Sequence, residues 1–310
     1  MKNLVFVSLA YISEYNGSVN MDELDEKTID IYLKNSFVCL KTIKKNNPFD
    51  DVAVVVNFEI DIKYRKLFEE NEINIYKIDY DSFNMPKDFK WSLAFFKLCS
   101  LKYVVNNLSY KNYLQLDSDV VCIGNLKDCW EEINEGLMML SGPFTYNHPL
   151  RKLNSEVFFN LYGENARLVK WGSGFIGANQ KTLKSFIEKC EEVYIKLKDI
   201  NFNCDNSIGD EFITSAAAYL LGNIRDAQPY MNVYWTRKFY LVSTNYKYDP
   251  IVLIHLPDEK RTGLIYIYEY FCKYKKLPSD KILYKILGFP KTKRPKSLIN
   301  FYIKIKNKLI

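Results

Sequence analysis

The sequence predicts an α/β domain built on a mostly parallel sheet flanked by helices, and three observations carry that expectation. The first 125 residues alternate short β-branched apolar runs with segments of helical periodicity. Hydrophobic residues make up 48% of the 310, enough to cover both faces of such a sheet. Charged residues make up 26%, near the globular average, which excludes a wholly disordered chain.

Taken in order, residues 3–10 are an apolar run that reads as a buried first strand. Residues 27–45 place Ile29, Leu33, Phe37 and Leu40 at helical spacing. DVAVVVN at 51–57 is a second buried strand, 60–71 a polar helix and 73–78 a third, alternating strand. Residues 91–106 repeat apolar positions as a helix does, and 113–116 are strand-like up to Asp117. In the second half, 136–141 and the glycine-punctuated WGSGFIGAN at 171–179 read as strands. Residues 181–198 and 207–221 read as helices, 251–255 as a strand, and 256–287 as mostly helical. Residues 144–164 and the segment after 263 read as variable loops suited to an acceptor pocket. No internal repeat or Gly/Ser linker interrupts the chain. It is therefore divided into a catalytic domain at 1–263 and a basic, helical C-terminal extension at 264–310.

Composition narrows the function. Seven scattered cysteines lack CxxC or framework spacing, which points to reduced, buried thiols rather than a zinc site or disulfide scaffold. The N-terminal run lacks a small-residue cleavage site, and no stretch reaches the roughly 18 apolar residues of a membrane span. The expectation is a soluble, cytoplasmic protein. From Lys291 the chain reads KTKRPKSLINFYIKIKNKLI, rich in Lys and without an acid. This tail fits peripheral contact with an anionic membrane face and equally a solvated or packed basic segment. The other basic residues are dispersed and no nucleic-acid motif is present, so nucleic-acid binding is not expected.

The chemistry centres on YLQL-Asp117-Ser118-Asp119-VVCI. Two carboxylates one residue apart at a strand end can hold Mn²⁺ or Mg²⁺ against a diphosphate. The tripeptide alone is a weak signal, since Asp79-Tyr80-Asp81 matches it too. The later pair is preferred because apolar segments clasp it, and charges in apolar surroundings are costly unless something binds them. His255 ends an apolar run and fits either a third metal ligand or a buried, hydrogen-bonded imidazole. His148, in a polar loop beside Pro149, is given no metal role. Lys260, in PDEKRTG, is either a phosphate contact or an ordinary surface lysine. Asp210-Glu211 opens a helix, where acids suit the dipole whether or not they touch substrate. The glycines of WGSGFIGAN are not read as a dinucleotide-binding fingerprint, and no Walker GxxxxGK[ST] sequence occurs.

In this order, from about residue 3 to 263, these motifs resemble the glycogenin-like, family-8 retaining glycosyltransferases of GT-A fold. The resemblance implies Asp117, Asp119 and His255 as Mn²⁺ ligands, with Lys97 and Lys260 on the diphosphate. It implies that Asp210 lies beside the donor sugar; if configuration is retained, Asp210 and Glu211 are the candidates to steady the developing oxocarbenium charge. Ala10, Tyr11 and Tyr15 would hold the uracil, and Ser118, Ser173 and Gly174 would complete the UDP-sugar contacts. The chain departs from the family pattern at Gly172-Ser173-Gly174 (usually Asn-x-Gly), at Glu211 (usually Gln) and in a His-to-Lys spacing one residue shorter. The function so implied is transfer of a hexose, glucose or galactose, from a UDP-sugar to a glycan or lipid-linked saccharide in surface-polysaccharide synthesis. A sugar-nucleotide nucleotidyltransferase and a non-catalytic sugar- or lipid-binding accessory protein are the competing readings. The first usually has a Gly-rich N-terminal loop that SLAYISEYNGSVN lacks. The second predicts no metal-dependent nucleotide binding.

Overall fold

Consecutive residues of the first strands fall into opposite hydrophobic clusters, so the sheet is buried on both faces. Leu4, Phe6, Ala53 and Val55 join one cluster, while Val5, Val7, Val52 and Val54 join the other. That is the pleat at work: side chains alternate across a strand, and a parallel sheet must be covered on both sides. The structure is a computed structural model that describes residues 1–12, 26–142, 147–163, 168–234 and 251–287.

The central sheet joins β1 (Leu4–Leu9), β2 (Asp51–Val56), β3 (Ile73–Lys77), β4 (Asn112–Leu116), β6 (Leu137–Ser141), β7 (Trp171–Asn179) and β8 (Ile224–Asp226) in the order β3-β2-β1-β4-β7-β6-β8. Neighbours run parallel except where β7 lies antiparallel between β4 and β6. A second, three-stranded sheet pairs β5 (Val120–Cys122), β10 (Leu253–His255) and β9 (Met231–Val233).

On one face lie α3 (Phe96–Asn107), α6 (Gln180–Asp199) and α7 (Asp210–Leu221). The other carries α1 (Glu26–Asn46), α2 (Ile62–Glu69), α4 (Lys127–Glu135) and α8 (Gly263–Tyr274). Phe271 of α8 sits 4.9 Å, ring to ring, from Phe37 of α1, so α8 closes the core on that side. The short α9 (Asp280–Ile286) buries Leu283 in a third cluster with Leu264 and Ile267. No helix among the described residues is long and apolar enough to cross a membrane.

Several expected boundaries move. The helix read over 91–106 begins as a 3-10 turn, Ser92–Phe95, before α3 proper. There the Tyr80 hydroxyl donates to the Ser92 carbonyl at 2.7 Å, taking an acceptor that a regular helix would use. The helix read from 207 starts at Asp210, because Ser207 closes a turn on Asp205, whose carboxylate accepts its amide at 2.8 Å. The presumed loop at 144–164 contains α5 (Pro149–Tyr162). His148 is its N-cap, with Nδ1 accepting from the Leu150 amide at 3.3 Å, and Pro149 takes the first helical position. The basic tail from Lys291 lies outside the described residues.

Candidate active site

Two strand pairings build the site at the carboxyl end of the parallel strands, where open α/β sheets bind ligands. β4 ends at Leu116, so Asp117 leaves the sheet edge, and the antiparallel match of Leu116 with Phe175 sets Gly174 beside it. The Asp117 amide donates to the Gly174 carbonyl at 3.2 Å. Antiparallel pairing of β5 with β10 matches His255 with Val120, bringing the imidazole against Asp119. The Leu256 amide, donating to the Asp119 carbonyl at 2.9 Å, locks that register.

Asp117, Asp119 and His255 therefore converge, each offering one donor atom within 4.8 Å of the others. His255 Nε2 lies 3.2 Å from Asp119 Oδ2 and 3.7 Å from Asp117 Oδ2. Lys260 Nζ is 3.1 Å from Asp119 Oδ2, and Lys97 Nζ is 2.6 Å from Asp117 Oδ1. Lys97 also donates to Ser173 Oγ at 3.0 Å and approaches Asp210 Oδ2 to 3.8 Å. Beyond it Lys170 Nζ holds Glu211 Oε2 at 2.5 Å.

The electrostatics follow from burial opposed by charge. Desolvation raises the Asp119 pKa, but His255 and Lys260 outweigh it and hold the carboxyl well below its usual range. Asp117 is likewise lowered, burial being overcome by Lys97 and His255. Burial pulls His255 down, yet Asp119 and Asp117 lift it above the ordinary imidazole value. For Asp210 burial wins over the Lys97 charge, and its pKa is raised.

The donor set suits a hard divalent cation. Two carboxylates and an imidazole match Mn²⁺ or Mg²⁺ chemistry. Asp119 is 1% exposed, and its Oδ1 has no hydrogen-bond partner. A Cβ on Gly174 would fall 2.9 Å from Asp117 Oδ2 and 3.2 Å from His255 Cε1, so glycine keeps the cradle open.

The cleft has two lobes that share Ala94, Lys97 and Asp117. The first is lined by Ala10, Ser118, Asp119 and Lys260, all expected from sequence, together with Ser8, Tyr32 and Phe58, which were not. Tyr11 is not among its lining residues: Asn57 accepts the Tyr11 amide at 2.7 Å and returns a bond to its carbonyl at 3.0 Å, and the Tyr11 ring lies 6.3 Å from that of Phe58. Tyr15 lies outside the described residues. The second lobe holds Ser173, Asp210 and Glu211, plus Trp91, Asn154 and Lys170, which sequence reasoning missed. Lys260 is no free surface lysine. Glu259 caps α8 by accepting the Gly263 amide at 2.9 Å and the Thr262 hydroxyl at 2.8 Å, which fixes the turn that aims Lys260 inward. Asp79 and Asp81 take no part in the cluster, the one candidate metal group among the described residues.

No protein-family model and no curated protein sequence matches this chain. Solved structures do. The galactosyltransferase LgtC in complex with donor and acceptor sugar analogues aligns over 90% of this chain and 98% of its own, with a TM-score of 0.54 and 14% identity. A glutamine-to-glutamate active-site mutant of LgtC aligns over 93% and 100%, with a TM-score of 0.54 and 13% identity. The seven-stranded sheet and its flanking helices thus match the GT-A fold of LgtC.

Proposed function

We propose that this chain is a metal-dependent glycosyltransferase that moves a hexose, glucose or galactose, from a UDP-sugar to a glycan or lipid-linked saccharide. The observation that carries the reading is the buried Asp117/Asp119/His255 cluster flanked by Lys97 and Lys260 at the ligand-binding edge of the sheet. The fold it shares with a galactosyltransferase supports the same reading.

In this reading Asp117, Asp119 and His255 hold Mn²⁺ or Mg²⁺, which when bound neutralises charge on the departing diphosphate. Lys97 and Lys260, both largely buried, add fixed positive charge on the same leaving group. Ala10 and Ser118 border the nucleotide lobe, and Tyr11 next to Ala10 is the expected uracil contact. Ser173 and Gly174 present the donor sugar to Asp210 and Glu211. The bond from sugar C1 to the diphosphate oxygen breaks, and its electron pair stays with UDP. The acceptor hydroxyl oxygen bonds to C1 and gives its proton to the diphosphate oxygen, on the same face, so configuration is retained. Asp210 and Glu211 face the positive charge that develops on the sugar between these events.

UDP release from UDP-glucose, UDP-galactose and UDP-N-acetylglucosamine, with Mn²⁺ or with EDTA, tests the reading without an acceptor. Mn²⁺-dependent release from one hexose donor, lost in Asp119→Ala, is the expected result. No release, together with no calorimetric UDP binding in Mn²⁺, would sink it and leave the accessory-protein reading in its place.

A further inference from the structure

The amino end of the sheet carries a second concavity, and it shares no lining residue with either lobe of the cleft. It is a groove of about 760 Å³ between α4, the turn from α1 to β2 and the starts of β1 and β4. Small-ligand sites span roughly 300–1,000 Å³. Hydrogen bonds prearrange its floor. Trp130 Nε1 donates to Asp50 Oδ2 at 2.7 Å, Asn3 Nδ2 to Asp50 Oδ1 at 3.1 Å, and Asn112 Nδ2 to Asn3 Oδ1 at 3.0 Å. The series stops at Asn112, which is 1% exposed and whose Oδ1 has no partner among the described residues. A buried acceptor left unmet is costly, and a donor supplied directly or through one water would satisfy it. Two further groups stand unspent on the walls. Phe49 is 86% exposed, and the side-chain amide of Asn134 makes no hydrogen bond to a described residue.

Charge disfavours an ionic occupant. Apart from Asp50, already bonded in the floor, the lining sets Lys111 and Lys127 against Glu131 and Glu135, two cations against two anions. These acids do not converge on a metal, since the one candidate metal group among the described residues is at the other end of the sheet. What the groove offers is amides that bond hydroxyls and an exposed ring that stacks on C–H faces, the chemistry that receives a neutral sugar. We propose that this groove is a saccharide-binding site separate from the cleft, taking a neutral oligosaccharide stacked on Phe49 with hydroxyls bonded to Asn112 and Asn134. β4 starts here at Asn112 and ends at Leu116 beside the cleft, so roughly 17 Å of strand lies between the two sites. The inference goes beyond the transferase reading and stands without it.

Calorimetry on the full chain, in EDTA and without nucleotide, tests the groove. Maltohexaose, laminarihexaose and β-1,4-galactotetraose are the neutral probes, and an oligogalacturonate is the anionic one. The expected result is saturable binding of at least one neutral oligosaccharide. Phe49→Ala, at a position too exposed to hold up the fold, should weaken that binding at least about tenfold through the lost stacking face. Asn134→Ala should weaken it about fivefold, the loss of one hydrogen bond. Both variants should keep a cooperative melting transition. Asp119→Ala, folded by the same criterion, should bind the oligosaccharide within about twofold of the wild type, which separates the groove from the cleft. No binding of any neutral probe would overturn the proposal, as would tighter binding of the oligogalacturonate. Binding left intact by Phe49→Ala would overturn it too, because the saccharide would then sit elsewhere. Failure of the chain to bind UDP with Mn²⁺ would instead remove the transferase reading and leave this site standing.

Discussion

Both ends of the central sheet bury a carboxylate, and they treat it in opposite ways. At the amino end, Asp50 is 8% exposed and accepts hydrogen bonds from Trp130 Nε1 at 2.7 Å and Asn3 Nδ2 at 3.1 Å. Burial outweighs those neutral donors, and its pKa is raised. At the carboxyl end, Asp119 is 1% exposed, sits against His255 and Lys260, and is held ionised with one oxygen unbonded. Neutral donors satisfy a carboxylate and stitch β1, β2 and α4 together. Cations hold Asp119 ionised, the form in which a carboxylate can ligate a metal, and leave its Oδ1 without a hydrogen bond. Burial alone does not separate structure from function; the partners do.

The largest effect that would break this comparison lies in exchanging the two acids. Asp119→Ala should lower Mn²⁺-dependent UDP affinity at least about 100-fold by calorimetry. Asp50→Asn should leave that affinity unchanged and cost about 1–3 kcal/mol in a denaturant melt, because Asn3 and Trp130 lose a matched acceptor. Equal effects of the two substitutions on UDP binding would remove the distinction.

Gly174→Ala ranks next. Its methyl would displace the tip of Asp117, a flexible side-chain end, so the chain should fold with little loss while Mn²⁺ affinity drops about tenfold or more. A variant with intact affinity would mean that the cradle is not where the metal binds.

pH sharpens the same contrast. His255 is raised, so its contribution to the metal-free fold is fully present below the unfolded value of about 6.5 and is lost as pH rises through the higher folded value. Asp119 is lowered, so its contribution is present above about 3.9 and is lost only in strong acid. A metal ligand must be neutral imidazole, so Mn²⁺ has to displace the His255 proton. Mn²⁺ affinity should therefore fall as pH drops below the raised His255 value, with proton release seen as a buffer-dependent binding enthalpy. A flat profile would take His255 out of the ligand set. The smallest effect is expected at the other Asp-x-Asp: Asp79→Asn with Asp81→Asn should bind UDP and Mn²⁺ as the wild type does.

The sheet was legible because its central strands are long apolar runs such as LVFVSL and DVAVVV, which burial on both faces demands. β5, β8 and β9, three residues each, have no period to detect. α5 was hidden in a polar stretch, although a capping His148 before Pro149 at the first helical position marks its start. In the site, Asp117, Asp119 and His255 could be read from context, since Asp117 and His255 end apolar runs and Asp119 is followed by one. Lys97 and Lys260 came only with the order of motifs. Lys170 and Asn154 carry no sequence signal at all, because only tertiary packing, with α7 on β7 and Phe158 of α5 against Tyr219 of α7, sets them facing Glu211 and the cleft. Tyr32 carried no sequence signal either; α1 brings its ring within 6.0 Å of Lys260 Nζ.

The most direct test of the central claim is Mn²⁺ binding followed by electron paramagnetic resonance in the presence of UDP. One Mn²⁺ bound per chain, its signal lost from the protein in Asp119→Ala and kept in Asp50→Asn, is what the account predicts. Mn²⁺ held equally well by Asp119→Ala, or not held by the wild type at any attainable UDP concentration, would contradict it.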